Sequence, residues 1–200
     1  MLQVFALLFG MVLSTTAAQP SQTVPLEEWE PQAGAVFLVD TKAATGYLIN
    51  QDGSTASIPV LLGQNRTVHY LGRSYLATTP EAKWVVHGVE KQGDHITFGK
   101  EGTFLRLYRD GEKRTPYGIH THAYFDFMLG EGNPYRSMGC VLVSKAALEK
   151  IESALELNNN ELKVVTVYGI DPSLIVDDVP DSFAFAKPNP ERATMKMTGS

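Results

Sequence analysis

The stretch Ser137-Met138-Gly139-Cys140-Val141-Leu142-Val143-Ser144 combines a turn, a short apolar run and the start of a helix. Gly139 lacks a Cβ, so the backbone can turn sharply directly before the single cysteine of the chain. Ser144 is a residue type that caps helix N-termini, and the apolar spacing after it predicts a helix over 145–157. This arrangement is typical of a reactive side chain on a loop held by a strand and a helix.

Short runs rich in β-branched and aromatic residues surround this stretch and are separated by turn residues. The predicted strands cover 35–40, 45–49, 57–62, 83–89, 95–98, 103–109 and 162–168. In the strand 103–109, Leu105 and Leu107 share one face, while Arg106 lies on the other, where we expect basic side chains to be solvated. The pattern predicts a mainly β protein of the α+β class, a β-sandwich or barrel with one or two helices alongside.

Composition limits the number of domains and the kinds of partner. The chain has 200 residues, 44% of them hydrophobic, and no second block of distinct composition, so we expect one domain over 34–170. The net charge is −5, and the scattered Lys and Arg form no basic stripe that would neutralise phosphates. Nucleic acid is therefore not expected as a partner, and we expect a monomer.

The two ends of the chain differ from this central region. Residues 1–18 are apolar, too short to span a bilayer and closed by small residues, which is typical of a signal peptide, although a buried N-terminal helix is the alternative. We expect export to the periplasm or cell envelope, with no stable membrane anchor after cleavage. Residues 19–33 are expected to form a loose leader, and 171–200 a surface or partly disordered tail.

Cys140 and the upstream His120-Thr121-His122 are the candidate reactive groups. In an oxidising compartment structural cysteines occur in pairs, so a single one is buried, intermolecular or reactive. A neighbouring imidazolium would lower the thiol pKa enough for a thiolate to exist at neutral pH. His120 and His122 share a face of an extended segment, so one can act as base while the other lines the pocket. The amides of Gly139 and Cys140 are candidates for an oxyanion hole.

Two other interpretations of these residues stay open. His120, His122 and Cys140 are ligand types that zinc or copper accepts, although the sequence offers no evident fourth ligand. A free cysteine is also often a small buried hydrophobic residue without chemistry of its own. We expect neither a metal nor a cofactor.

The same residues resemble the signature of the L,D-transpeptidase catalytic domain. Tyr117-Gly118-Ile119-His120 is similar to its first half, and Ser137-Met138-Gly139-Cys140-Val141 to its second. Residues 35–49 resemble the opening hairpin of that family, and Thr79-Pro80 followed by Trp84 resembles its threonine-proline element. The resemblance covers about 35–143 and implies an L,D-transpeptidase-like fold.

The sequence departs from that family pattern at several positions. Thr121 and Ala82 stand where Gly is usual, and Met138 replaces a common His. Leu142 stands where an Arg is usual, and in the family that Arg is expected to help position the substrate. Thr115-Pro116-Tyr117-Gly118 also resembles the threonine-proline element, which leaves the identity of the base open between His120 and His122.

The resemblance implies a role for each matching residue. Cys140 attacks the carbonyl of the third residue of a peptidoglycan stem peptide, and His120 passes the thiol proton to the leaving D-amino acid. The Thr121 carbonyl orients His120, and the amides of Gly139 and Cys140 stabilise the oxyanion. The side chains expected to line the substrate pocket are His122, Ser137 and Met138.

The implied function is cross-linking or remodelling of the cell wall, with effects on cell shape. A thioester that is resolved by an amine gives a cross-link, whereas resolution by water gives a trimmed peptide and an L,D-carboxypeptidase. The third alternative is a catalytically silent wall-binding domain of the same fold.

Overall fold

The computed structural model describes residues 22–70 and 72–170. The strands are β1 Val36–Asp40, β2 Thr45–Ile49, β3 Thr55–Pro59, β4 Leu62–Gly63, β5 Thr67–Tyr70, β6 Arg73–Leu76, β7 Ala82–Val86, β8 Glu90–Lys91, β9 Thr103–Arg109, β10 Lys113–His120, β11 Tyr135–Ser137, β12 Val141–Leu142 and β13 Leu162–Val167. The helices are α1 Phe125–Gly130 and α2 Lys145–Leu157. The predicted signal peptide and C-terminal tail lie outside the described residues.

A nine-stranded sheet forms the framework of the fold, in the order β12-β10-β9-β7-β13-β1-β2-β3, with β8 paired to β9. Its two ends approach each other because Leu61, which follows β3, bridges to Leu142 of β12. The Leu61 N–H donates to the Leu142 carbonyl at 2.9 Å, and the Leu142 N–H donates to the Leu61 carbonyl at 2.8 Å. The sheet therefore curls on itself, as the predicted mainly β class with a barrel-like sheet requires.

The inner face of the curled sheet is covered by α2. Apolar side chains at helical spacing, Ala147, Leu148, Ile151, Ala154 and Leu155, join the main hydrophobic cluster with Phe37 and Val39 of β1. The Ser144 hydroxyl accepts a hydrogen bond from the Ala147 N–H at 3.2 Å, which caps the helix. The predicted helix 145–157 and its cap are confirmed. Within the described residues, neither helix is long and apolar enough to span a membrane.

The strand predictions are confirmed where local alternation is strong. Strands β2 and β9 have the predicted bounds. The predicted strand 95–98 is wrong, because this segment forms turns in which the Asp94 carboxylate accepts the N–H groups of Ile96 and Thr97. The predicted strand 57–62 is divided into β3 and β4, and the predicted strand 83–89 ends at Val86. The hairpin β5–β6 and helix α1 were not predicted.

The expectation of a loose leader is wrong for its described part, residues 22–33. Trp29 is 1% exposed and belongs to the main hydrophobic cluster. The Val24 N–H donates to the Thr55 carbonyl at 2.9 Å, and the Trp29 indole N–H donates to the Ser54 carbonyl at 3.3 Å. The polar composition of this segment predicts a loose conformation, but burial of the large Trp29 indole stabilises its packing against the sheet.

Candidate active site

Two parallel strands bring the cysteine and the histidine together. In the β10–β12 pair, Ile119 aligns with Val141 and His120 with Leu142. One residue earlier in the same register, Cys140 lies beside Gly118, and the Gly118 N–H donates a hydrogen bond to the Cys140 thiol. Segments that are 20 residues apart in the chain thus converge at one end of two neighbouring strands.

His120 lies in an aromatic environment that excludes water. The residue is 4% exposed, and its ring centroid lies 4.8 Å from that of Phe98 and 5.7 Å from that of Phe104. The Phe104 ring fits there because Gly118 has no side chain: a Cβ at Gly118 would lie 2.3 Å from the Phe104 Cζ. The imidazole is therefore enclosed by apolar surface apart from its polar contacts.

The hydrogen bonding of His120 defines its tautomer. Nδ1 lies 2.8 Å from the Thr121 carbonyl oxygen, which can only accept, so Nδ1 carries the hydrogen. In the neutral ring Nε2 then keeps its lone pair. Burial lowers the pKa of His120 to about 4, and the backbone carbonyls of Thr121 and Thr97 only partly offset that effect. Thr121 thus makes the contact expected of it, through its carbonyl.

The Cys140 thiol lies in a desolvated environment. The residue keeps partial solvent exposure, yet protein atoms surround the thiol closely enough for burial to raise its pKa to about 11. The Gly118 N–H and the charge of Arg106 act in the opposite direction but do not overcome burial. Desolvation therefore acts against the predicted thiolate–imidazolium pair, because it favours the neutral form of both groups.

Ser137 braces the turn before the cysteine. Its hydroxyl accepts a hydrogen bond from the Gly139 N–H at 3.0 Å and donates one to the Cys140 carbonyl at 2.6 Å. Gly139 has a φ of +120°, and a Cβ there would lie 2.6 Å from the Tyr117 ring. The Gly139 amide is thus already engaged, which corrects its expected availability for an oxyanion hole. The Cys140 N–H is the amide of this turn that Ser137 does not engage.

A cavity of about 440 Å³ opens in front of the thiol. Five of the predicted site residues line it: His120, His122, Ser137, Met138 and Cys140. Gly139 and Thr121 do not line this cavity and contribute through the backbone. Burial lowers the pKa of His122 as well, against the opposing effect of the Asp94 charge. Across the described residues, no group of three or more His, Cys, Asp or Glu side chains is placed to hold a metal ion.

Sequence reasoning missed several residues of this cavity, among them Phe104 and Arg106 of β9 and Tyr70 of β5. The alternation of β9 does put Phe104 and Arg106 on one face, but it does not say that this face borders a cavity. The Arg106 side chain is only 12% exposed, so the expectation that it is solvated is wrong. It is held by Glu90, which reaches it from the neighbouring β8.

Leu142, at the position where the family resemblance leads us to expect an arginine, is 3% exposed. It packs with Leu61 and with Phe125 of α1 in a small apolar cluster. Leu142 also lines the cavity, so an arginine here would have to direct its guanidinium into the cavity, because the apolar cluster offers it no partner. The surrounding packing is therefore matched to leucine.

No protein-family model matches the chain, and no curated protein matches it significantly. Among solved structures, the L,D-transpeptidase from Xylanimonas cellulosilytica is similar at a TM-score of 0.50 and 21% identity, over 68% of this chain and 61% of that one. The chain has the L,D-transpeptidase fold.

More distant similarities within the L,D-transpeptidase fold include two further bacterial proteins. The L,D-transpeptidase from Mycobacterium smegmatis matches at a TM-score of 0.43 and 15% identity, over 68% of this chain and 59% of that one. The L,D-transpeptidase from Stackebrandtia nassauensis matches at 0.42 and 18%, over 72% and 60%. The chain thus spans about 60% of the length of these solved chains.

Proposed function

We propose that the protein is an L,D-transpeptidase that acts on peptidoglycan stem peptides through a thioester at Cys140. The observation that carries the proposal is the pairing of the single thiol with a neutral, backbone-oriented imidazole at one cavity. A neutral histidine that is fixed by its backbone contact and lines the same cavity as a thiol supplies the base that acyl transfer by cysteine needs. The L,D-transpeptidase fold supports this reaction class.

The first half of the reaction forms the acyl-enzyme. As the Cys140 sulfur attacks the carbonyl carbon of the third stem residue, the thiol proton passes to Nε2 of His120. The carbon–sulfur bond forms, and the negative charge that develops on the carbonyl oxygen is stabilised by the Cys140 N–H. Collapse of the intermediate breaks the peptide bond, and the imidazolium returns the proton to the leaving D-amino acid.

The second half releases the acyl group. An acceptor amine attacks the thioester carbon, its proton passes through His120, and the carbon–sulfur bond breaks with return of the proton to sulfur. The product is a new peptide cross-link, and the cycle consumes no oxidant or reductant. Because His120 has a pKa of about 4, its base form predominates at neutral pH.

We assign the protein to the exported side of the cell envelope, with residues 34–170 as the catalytic domain, residues 1–18 as its signal peptide and a monomer as the active form.

The test incubates the protein with stem-tetrapeptide muropeptides and identifies the products by mass spectrometry. The Cys140→Ala and His120→Gln variants are compared with His69→Gln, which changes an exposed histidine on the β5–β6 hairpin. We expect cross-linked dimer from wild type and His69→Gln, none from Cys140→Ala, and at least a hundredfold less from His120→Gln.

Two other outcomes would revise the proposal. A Cys140-dependent tripeptide without dimer would identify an L,D-carboxypeptidase. Wild type that gives no more product than Cys140→Ala would overturn the enzymatic function and favour a silent wall-binding domain.

A further inference from the structure

The site lacks the positive charge that a cysteine nucleophile ordinarily uses. Burial lowers the pKa of both His120 and His122, which disfavours a positive charge on either ring. A thiolate that forms in this cavity is therefore stabilised by a different group or left without one. Two arginines of the described residues line the cavity, Arg106 and Arg136.

The Arg106 side chain is held in place by three hydrogen bonds and a stacking contact. Its Nε and Nη2 donate to the two Glu90 carboxylate oxygens, both at 2.7 Å, and its Nη1 donates to the Thr115 carbonyl at 2.7 Å. The guanidinium carbon lies 4.8 Å from the Phe104 ring centroid. Bidentate geometry and stacking hold the charge in one place. The three bonds use three of the five N–H groups of the guanidinium, and two are not used by them.

The sheet register places Arg106 and Cys140 on the two sides of Gly118, and both residues line the same cavity. Arg106 of β9 is the cross-strand partner of Gly118 in β10, and the Gly118 N–H is the backbone donor to the Cys140 thiol. Directly paired residues project to the same face of a sheet. Because Gly118 has no side chain, the Phe104 ring occupies the space over it, and the Arg106 guanidinium stacks on that ring.

The other polar groups around the thiol do not supply this charge. Arg136 forms an ion pair with Glu131 and is 34% exposed, so solvent and its partner screen it. Tyr70 lines the cavity, and the pKa of Tyr75 is raised by burial and by the negative charges of Cys140, Tyr117 and Tyr70. Asp94 adds a negative charge beside His122.

We propose that Arg106, clamped by Glu90, is the positioning residue that stabilises the Cys140 thiolate. The inference rests on the proposed function only in taking Cys140 as the nucleophile. Glu90 also faces Arg114 at 3.7 Å, but the Arg114 side chain is 63% exposed and lies outside the cavity. In agreement with this role, the positive charge of Arg106 acts to lower the pKa of the Cys140 thiol.

The test uses the single cysteine as its own reporter. The rate of alkylation of Cys140 by uncharged iodoacetamide is measured between pH 7 and pH 11.5, and the rate below the pKa follows the thiolate fraction. We expect Arg106→Gln to react about tenfold more slowly than wild type at each pH below the inflection, which corresponds to an upward pKa shift of about one unit. Arg106→Lys keeps the charge and should stay within about threefold of wild type.

Arg114→Gln is the matched control, because Arg114 contacts the same Glu90 but is 63% exposed and does not line the cavity. Its alkylation rate should equal that of wild type. Unfolding cannot imitate the expected result, since an exposed thiol has an ordinary pKa near 8.5 and reacts faster. If Arg106→Gln unfolds, Arg106→Met serves as the second uncharged variant.

Equal rates in wild type and the folded uncharged variant would overturn the inference, as would equal slowing in Arg106→Lys or in Arg114→Gln. Because the alkylation measurement needs no peptide substrate, its result does not depend on the outcome of the muropeptide assay. A protein without transpeptidase activity can still show the Arg106-dependent thiol.

Discussion

At the scale of single residues, the geometry before the nucleophile depends on Gly139. Its φ of +120° lies in a region that L side chains rarely adopt, and the space where a Cβ would stand is occupied by the Tyr117 ring. The Ser137 hydroxyl closes this turn with two hydrogen bonds. The turn that holds Cys140 thus depends on a glycine at position 139.

We predict that Gly139→Ala lowers the free energy of unfolding by about 1–3 kcal/mol through backbone strain alone. Displacement of Cys140 should also reduce product formation by at least tenfold. Gly93→Ala is the control, because Gly93 has no contact within 4 Å of its Cβ position and no positive φ. Chemical denaturation and the muropeptide assay give the two quantities. Equal stability of the two variants would contradict the role of the turn.

At the scale of elements, Asp40 joins the end of β1 to the end of β13. Its carboxylate accepts the N–H groups of Lys42 and Ala43 in the following turn, and those of Gly169 and Ile170 after β13. The residue is 4% exposed. Burial acts to raise the pKa of Asp40, but the four backbone donors together hold it below its usual value.

We predict that Asp40→Asn destabilises the protein by about 1–3 kcal/mol, because an amide NH₂ cannot accept one of these N–H groups and a buried donor is left unpaired. Asp110→Asn, at an exposed turn with a φ of +52°, should change stability by less than about 0.5 kcal/mol. Urea denaturation at pH 7 compares the two variants. A loss in Asp40→Asn no larger than that in Asp110→Asn would show that the four bonds contribute little.

The elements differ in how well the sequence predicts them. Strand β9 and helix α2 follow from period-2 and helical spacing within their own residues. The segment 95–98 has strand-forming residues but turns because the Asp94 side chain bonds the backbone. The two-residue strand β12 exists through pairing with β10 and the bridge to Leu61, neither of which is visible within its own sequence.

At the scale of the whole molecule, the burial of His120 links stability to pH. In the folded protein the pKa of His120 is about 4, which lies below the value of 6.5 for an unperturbed histidine. Between pH 6.5 and pH 4, His120 therefore binds a proton in the unfolded chain but not in the folded protein. Stability is lost as the pH falls through this range. Above pH 6.5 the contribution of His120 to the free energy of unfolding is constant.

We predict that between pH 7 and pH 4 the free energy of unfolding of wild type falls by about 3 kcal/mol more than that of His120→Gln. The difference between the two proteins removes the contributions of other titrating groups, including His122. Guanidinium denaturation across this pH range measures it. Parallel curves would mean that His120 is solvated in the folded protein.

The sequence by itself determined the local features, which are the helix over 145–157 with its Ser144 cap and strands β2 and β9. These depend on residue spacing and on the conformational freedom of individual residues such as Gly139. They were predictable because the interactions that specify them lie within a few residues of one another.

Only the tertiary structure decided the chemistry of the site. The parallel register of β10 and β12 brings Cys140 beside Gly118, and the packing of Phe98 and Phe104 against His120 buries the imidazole and lowers its pKa. The same packing turned Arg106 from an expected surface residue into part of the cavity wall. Desolvation and charge proximity are set by segments distant in the chain, so residue spacing alone does not contain them.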